Sequence, residues 1–156
     1  MQNLTCCFTG HRYLPQSTVE KIVVQLNTEV DNLIRQGVTH FLSGGARGFD
    51  QIAASLILSK KNMGYGVSLD FVLPCRDQDA LWPERERALY RGLLTEADSI
   101  HYIADTFRPG CMKERNRYMV DHAGYCIYAM LHDRSGTWQT VQYARRRGLH
   151  LIGVAE

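Results

Sequence analysis

The stretch HFLSGGARGFDQIAA, residues 40–54, decides the fold. It opens as an apolar run of strand character and turns through glycines, an arginine and a small polar residue. It ends in DQIAA, the start of an amphipathic helix. A strand that enters a helix through a short glycine loop is half of a parallel-sheet crossover, because parallel neighbours need a helix-length connection to bring the chain back. Such a loop lies at the carboxyl end of its strand, where open α/β sheets bind their ligands.

The same alternation extends in both directions. Short apolar runs recur at LTCCF (4–8), THFLS (39–43), SLDFVL (68–73), SIHYI (99–103), YCIYAML (125–131) and LHLIGV (149–154). Between the first two, Val19, Ile22, Val23, Leu26, Val30, Leu33 and Ile34 repeat at three- and four-residue steps, which predicts a helix over 17–36. A Ser17/Glu20 capping box would open it and Gly37 would close it. Further helices are predicted over 48–62, 79–96, 112–123 and 137–147, the last ended by Gly148. Residues 1–156 therefore read as one domain, a Rossmann-like three-layer α/β/α sandwich with a mainly parallel sheet of about six strands. The first strand is expected at the centre of a nucleotide-binding strand order.

Composition narrows the function classes. With 45% hydrophobic and 22% charged residues, the chain is neither disordered nor membrane-spanning in character. The first twelve residues, MQNLTCCFTGHR, lack the pattern of a signal peptide, so a cytoplasmic location is expected. Five cysteines, an odd number with no CxxC pair, read as reduced thiols rather than a disulfide framework or zinc site. No histidine spacing or acidic cluster suggests a metal. A net charge of +2 gives no general attraction to polyanions, and Arg145, Arg146 and Arg147 are the one local basic cluster; nucleic acid is accordingly not expected as a partner.

The residues that follow the strands carry the chemistry. After the first run come Thr9, Gly10, His11 and Arg12; after the second, Ser43, Gly44, Gly45, Arg47, Gly48 and Asp50; after the fifth, Ser135, Gly136 and Thr137. Glycines let backbone N–H groups approach phosphate oxygens, helix N-termini favour anions, and arginines grip phosphate through a bidentate fork. Arg115 and Asn116 fall in the first turn of the fourth helix and are expected to face the same crevice, whereas Lys113, Glu114 and Arg117 read as its solvated face. Asp50 is read either as a helix cap or as an acceptor for ribose hydroxyls. Neither GxGxxG nor GxxxxGK[ST] occurs, which argues against an ordinary dinucleotide dehydrogenase or P-loop enzyme. Cys75, after Pro74, could serve as a nucleophile with His11 as base, although an inert buried thiol is the commoner state of such a residue. No cofactor is identified beyond the expected nucleotide-type ligand.

These segments together resemble the SLOG superfamily, a Rossmann-like group that includes the LOG phosphoribohydrolases, the DprA domain and the YpsA-like proteins. The chain is most similar to the YpsA-like branch through FTGHR and through Arg115, Asn116, Met119, Val120 and Asp121. SGGARGFD also looks like the SG-x-ARG-x-D loop of DprA, a family that binds single-stranded DNA, which makes DNA binding a third reading after nucleotide binding and N-glycosidic hydrolysis. The resemblance implies a nucleotide or nucleotide derivative bound at the glycine loops, in a sensor or an enzyme, with assembly as a homodimer or higher homo-oligomer. A LOG-like enzyme would hydrolyse an N-glycosidic bond, but its catalytic glutamate position is taken here by Thr140 and its lysine position by Asn116. Arg115 and Asp50 are the catalytic candidates, with Asp133 and Glu114 as other carboxylates to weigh.

Overall fold

The computed structural model describes residues 2–133 and 135–155. Six strands, β1 (Thr5–Gly10), β2 (His40–Ser43), β3 (Ser68–Cys75), β4 (Ser99–Ala104), β5 (Tyr125–Ala129) and β6 (His150–Gly153), form one parallel sheet. Five helices alternate with them: α1 (Gln16–Arg35), α2 (Phe49–Asn62), α3 (Glu84–Glu96), α4 (Cys111–Asp121) and α5 (Gly136–Arg146). The strand order is β4-β3-β2-β1-β5-β6, with the first strand central as expected.

Strand residues alternate between two cores, because successive side chains leave a strand on opposite faces. Cys6, Phe8, Phe41, Leu69, Phe71 and Ile127 pack with α1, α2 and α3 through Ile22, Leu26, Ile57, Tyr90 and Leu93. Cys7, Leu42, Val72 and Cys126 pack on the other face with Met119 and Val120 of α4 and Ala144 of α5. The resulting three layers are those of a Rossmann-like α/β/α sandwich. After β1 the chain turns to the α1 face, and after β5 it turns to the α5 face. β1 and β5 are hydrogen-bonded neighbours, from Cys6 opposite Tyr125 to Gly10 opposite Ala129. Their loops therefore diverge and open a crevice between them, the topological switch point of the sheet.

Two helices take a proline as N-cap where the sequence predicts a different start. α1 begins at Gln16 with Pro15 as its N-cap at φ −55°, so Ser17 lies inside the first turn and the Ser17/Glu20 capping box does not form. The Thr18 N–H and hydroxyl both bond the Pro15 carbonyl instead. α3 begins at Glu84 rather than at 79, with Pro83 as N-cap. The fixed φ of proline suits entry to a helix but not its interior. Asp79 becomes a buried anchor outside the helix, paired with Arg91 at 3.1 Å and Arg87 at 3.6 Å. Among the described residues, no helix is long and apolar enough to cross a membrane.

Candidate functional site

The crevice between the ends of β1 and β5 has a volume of about 310 Å³. The β1 end contributes Thr9, Gly10, His11 and Arg12; α4 contributes Met112, Arg115 and Asn116; the start of α5 contributes Ser135, Gly136 and Thr137. Ala46 and Asp50 reach it from the β2–α2 loop. Ten of the fifteen residues singled out from sequence thus line one cavity.

The other five, Ser43, Gly44, Gly45, Arg47 and Gly48, do not line it. They build the wall behind it. The fully buried Ser43 hydroxyl donates to the Asp50 carbonyl at 2.9 Å and accepts the Gly45 N–H at 3.2 Å, so it folds the loop rather than facing a ligand. A side chain on Gly44 would run into the Arg115 guanidinium and the Asp50 carboxylate, and one on Gly48, at φ +85°, into the carbonyls of His11 and Arg12. The close approach these glycines permit is to the protein's own groups. Arg47 pairs with Glu86 at 2.9 Å and lies over the Trp82 ring at 5.1 Å, turned toward α3.

Gly136 differs from these three glycines. A side chain there would meet nothing within 4 Å. It opens α5, whose N-cap Ser135 accepts the Trp138 N–H at 3.1 Å. The first two N–H groups of α5, on Gly136 and Thr137, have no acceptor among the described residues. This is the usual condition of a helix start and is favourable to an anion.

Charge in the crevice is arranged unevenly. Arg115 is 4% exposed and donates from Nη1 to the Gly44 carbonyl at 2.6 Å and from Nε to the Asn116 side-chain oxygen at 2.7 Å. Its charge is balanced by Asp50, 6% exposed. Burial raises the Asp50 carboxyl to about 6, although Arg115, the Ala46 N–H and Arg12 all pull it down. Burial likewise lowers Arg115, against the opposing pull of Asp50. Arg12 is exposed, has no carboxylate partner among the described residues, and rests its guanidinium on the Met112 sulfur at 3.0 Å. The crevice's unbalanced positive charge is therefore Arg12.

His11 joins the two sides. Its ring stacks on His132 at 4.2 Å between centroids, and its Nε2 accepts the Leu131 N–H at 2.9 Å. A ring nitrogen that accepts carries no proton, so the proton of neutral His11 sits on Nδ1. Burial, with His132 adjacent, lowers its pKa and favours that neutral form. Cys75 is buried two strands from β1, and burial together with Asp77 raises its thiol to about 12, the state of an inert residue rather than a nucleophile.

A model of the YspA SLOG family matches residues 10–147, from the last residue of β1 to the C-cap of α5. The chain belongs to this family. Among curated relatives, the SPbeta prophage-derived protein YoqJ of Bacillus subtilis is 26% identical over 142 residues, covering 83% of each chain. A UPF0398 protein of Bacillus pumilus is 25% identical over 77% of this chain and 67% of its own. Among solved structures, DprA of Streptococcus pneumoniae superposes with a TM-score of 0.69 at 16% identity, and DprA of Helicobacter pylori with 0.68 at 19%. Each covers 97% of this chain, which spans 50% and 65% of those longer proteins. They share the SLOG fold.

The Helicobacter structure is described by its single-stranded DNA binding mode. That finding overturns the expectation, drawn from net charge, that nucleic acid is not a partner. Net charge was the wrong measure because binding depends on where cations stand, not on their sum. Beside the crevice, sharing Met112, Asn116 and Gly136 with it, runs a groove of about 520 Å³ between α4 and α5, lined also by Lys113, Arg117 and Arg146. Sequence reading assigned Lys113 and Arg117 to a solvated helix face. Their four-residue spacing on α4, matched by Gln139 and Tyr143 on α5, was the available signal of a shared groove.

Proposed function

We propose that the chain binds a nucleotide or nucleotide derivative with a phosphate seated in the crevice between β1 and β5. The supporting observation is the meeting, at one switch point, of the open N-terminus of α5 with the unpaired guanidinium of Arg12. The phosphate would accept from the Gly136 and Thr137 N–H groups and from the hydroxyls of Thr9, Ser135 and Thr137, with Arg12 balancing its charge. Arg115 supports the wall, while His11 Nδ1–H and the Asn116 amide remain as donors to sugar or base. The DNA binding described for the Helicobacter relative supports a phosphate-bearing class of ligand.

Calorimetry with a panel of nucleoside 5′-monophosphates tests this reading. Arg12→Ala is expected to weaken binding by about tenfold or more, the usual loss for a hydrogen bond between charged groups. Unchanged affinity would place the phosphate elsewhere.

A second reading, hydrolysis of the N-glycosidic bond, has one observation in its favour. Asp50 is the single carboxylate among the residues lining the crevice, and a carboxyl raised to about 6 is suited to proton transfer near neutral pH. Asp133 is exposed, and Glu114 pairs with Arg108 at 2.7 Å; neither lines the cavity. The Thr140 hydroxyl, at the position of the LOG glutamate, donates to the Gly136 carbonyl at 3.0 Å within α5. Release of free base that Asp50→Asn abolishes would establish this reading over simple binding.

A further inference from the structure

The groove between α4 and α5 has a chemistry of its own. Lys113 and Arg117 stand on one bank and Arg146 on the other, and its lining includes no carboxylate. None of the three cations forms an ion pair among the described residues. Most other surface arginines on this chain do, including Arg47, Arg76, Arg87, Arg91, Arg108 and Arg147. The aromatic residues of the groove are Trp138, 37% exposed, and Tyr143, whose ring lies 4.9 Å from the Arg117 guanidinium carbon and 5.9 Å from that of Arg146. An indole left open beside unpaired cations, in a channel free of acids, matches what a nucleic-acid base and its phosphate require: a flat apolar platform and a positive rail.

Position makes the groove an extension of the crevice rather than a separate site. Gly136, Met112 and Asn116 line both cavities, and Trp138 lies two residues along α5 from Gly136. We infer that the groove holds a second base and a second phosphate of the same ligand, so that the natural ligand carries two bases joined through phosphate. Trp138 stacks on the second base, and Lys113, Arg117 and Arg146 neutralise the outer phosphate. The inference rests on the phosphate reading of the crevice. Two sources share this chemistry, a phosphodiester chain and a dinucleotide linked through pyrophosphate.

The test measures affinity for adenosine 5′-monophosphate, for the phosphodiester pApA and for an adenine dinucleotide joined by pyrophosphate. At least one two-base ligand should bind about tenfold or more tighter than the mononucleotide, a gain in the range of one stacked base. It should also quench tryptophan fluorescence, and Trp138→Leu should remove the quench. Trp138→Leu and Arg117→Glu, both at exposed positions, should erase the gain and leave mononucleotide affinity within about twofold. Which two-base ligand gains identifies the linkage. Equal affinity for one- and two-base ligands, with mononucleotide binding intact, overturns the groove inference and leaves the crevice reading standing. Absence of binding by all three overturns both.

Discussion

The loops after β2 and after β5 show what a glycine-rich strand end can become. The first, SGGARGFD, has the richer motif, yet the space beside Gly44 is filled by Arg115 and Asp50, and that beside Gly45 by Leu73 and Tyr90. The second has a single glycine, Gly136, and that one faces open space. Glycine content shows that something comes close to the backbone, but not whether it belongs to the protein or to a ligand. In this chain the space beside the first loop is taken by the protein's own groups, and that beside the second is left open to the crevice.

The sharpest way to break that contrast is to add side chains to both loops. Gly44→Val should cost about 3 kcal/mol or more of unfolding free energy in urea denaturation, because the Arg115 and Asp50 groups it meets are buried. Gly136→Ala should leave stability within about 0.5 kcal/mol while weakening nucleotide binding. Equal stability losses at the two positions would dissolve the distinction.

Removing the buried cation is the next largest perturbation. Arg115→Leu strands the Gly44 carbonyl and leaves Asp50 without its neighbouring positive charge, which should destabilise the fold by about 3 kcal/mol. The Asp50 carboxyl should then titrate above its present value of about 6, since Arg115 is among the groups that pull it down. NMR titration of the side chain in both proteins reads this shift directly.

A pH series sharpens the role of Asp50 in the supporting wall. Its folded pKa is raised from 3.8 to about 6, so its neutral form is the one the fold prefers. The stability that goes with that form is fully present below the unfolded pKa and is lost as pH rises through about 6. Asp50→Asn cannot ionise. Relative to wild type it should therefore gain on the order of 3 kcal/mol between about pH 4 and about pH 7, measured by urea unfolding at each pH. A difference that does not change with pH would show that Asp50 keeps its charge at little cost.

The smallest effect is expected at Arg47. Its pair with Glu86 is partly solvent-exposed, so Arg47→Ala should cost about 0.5 kcal/mol and leave nucleotide affinity unchanged. A large loss of affinity would return the phosphate to the β2 loop.

The layers of this fold were legible because they rest on local periodicity. The apolar spacing of residues 19–34 needs a helix wherever it occurs, and the strand runs need a sheet to bury them. The collection of polar residues at strand ends was legible too, since the position of a ligand site in an open parallel sheet depends on topology alone. What each residue does there was less so. Arg115 and Gly44 meet across 71 positions of sequence, and no local pattern announces that one fills the space beside the other. Arg47 looked like a phosphate ligand until Glu86 and Trp82, brought alongside by α3 and its approach, supplied partners. The α4–α5 groove was hidden for the opposite reason. Its cations read as ordinary surface charge because their shared channel exists only after two helices separated by a strand pack side by side.

The link from His11 to the Leu131 N–H has a thermodynamic consequence for recognition. Because one ring nitrogen bridges the exits of β1 and β5, the two banks of the crevice are fastened to each other before any ligand arrives. The loss of loop freedom that would otherwise oppose association is already incurred during folding, so more of the contact energy remains as affinity. In this sense His11 acts as a keystone: it holds the opening at a set width, and protonating its bridging nitrogen would release the arch.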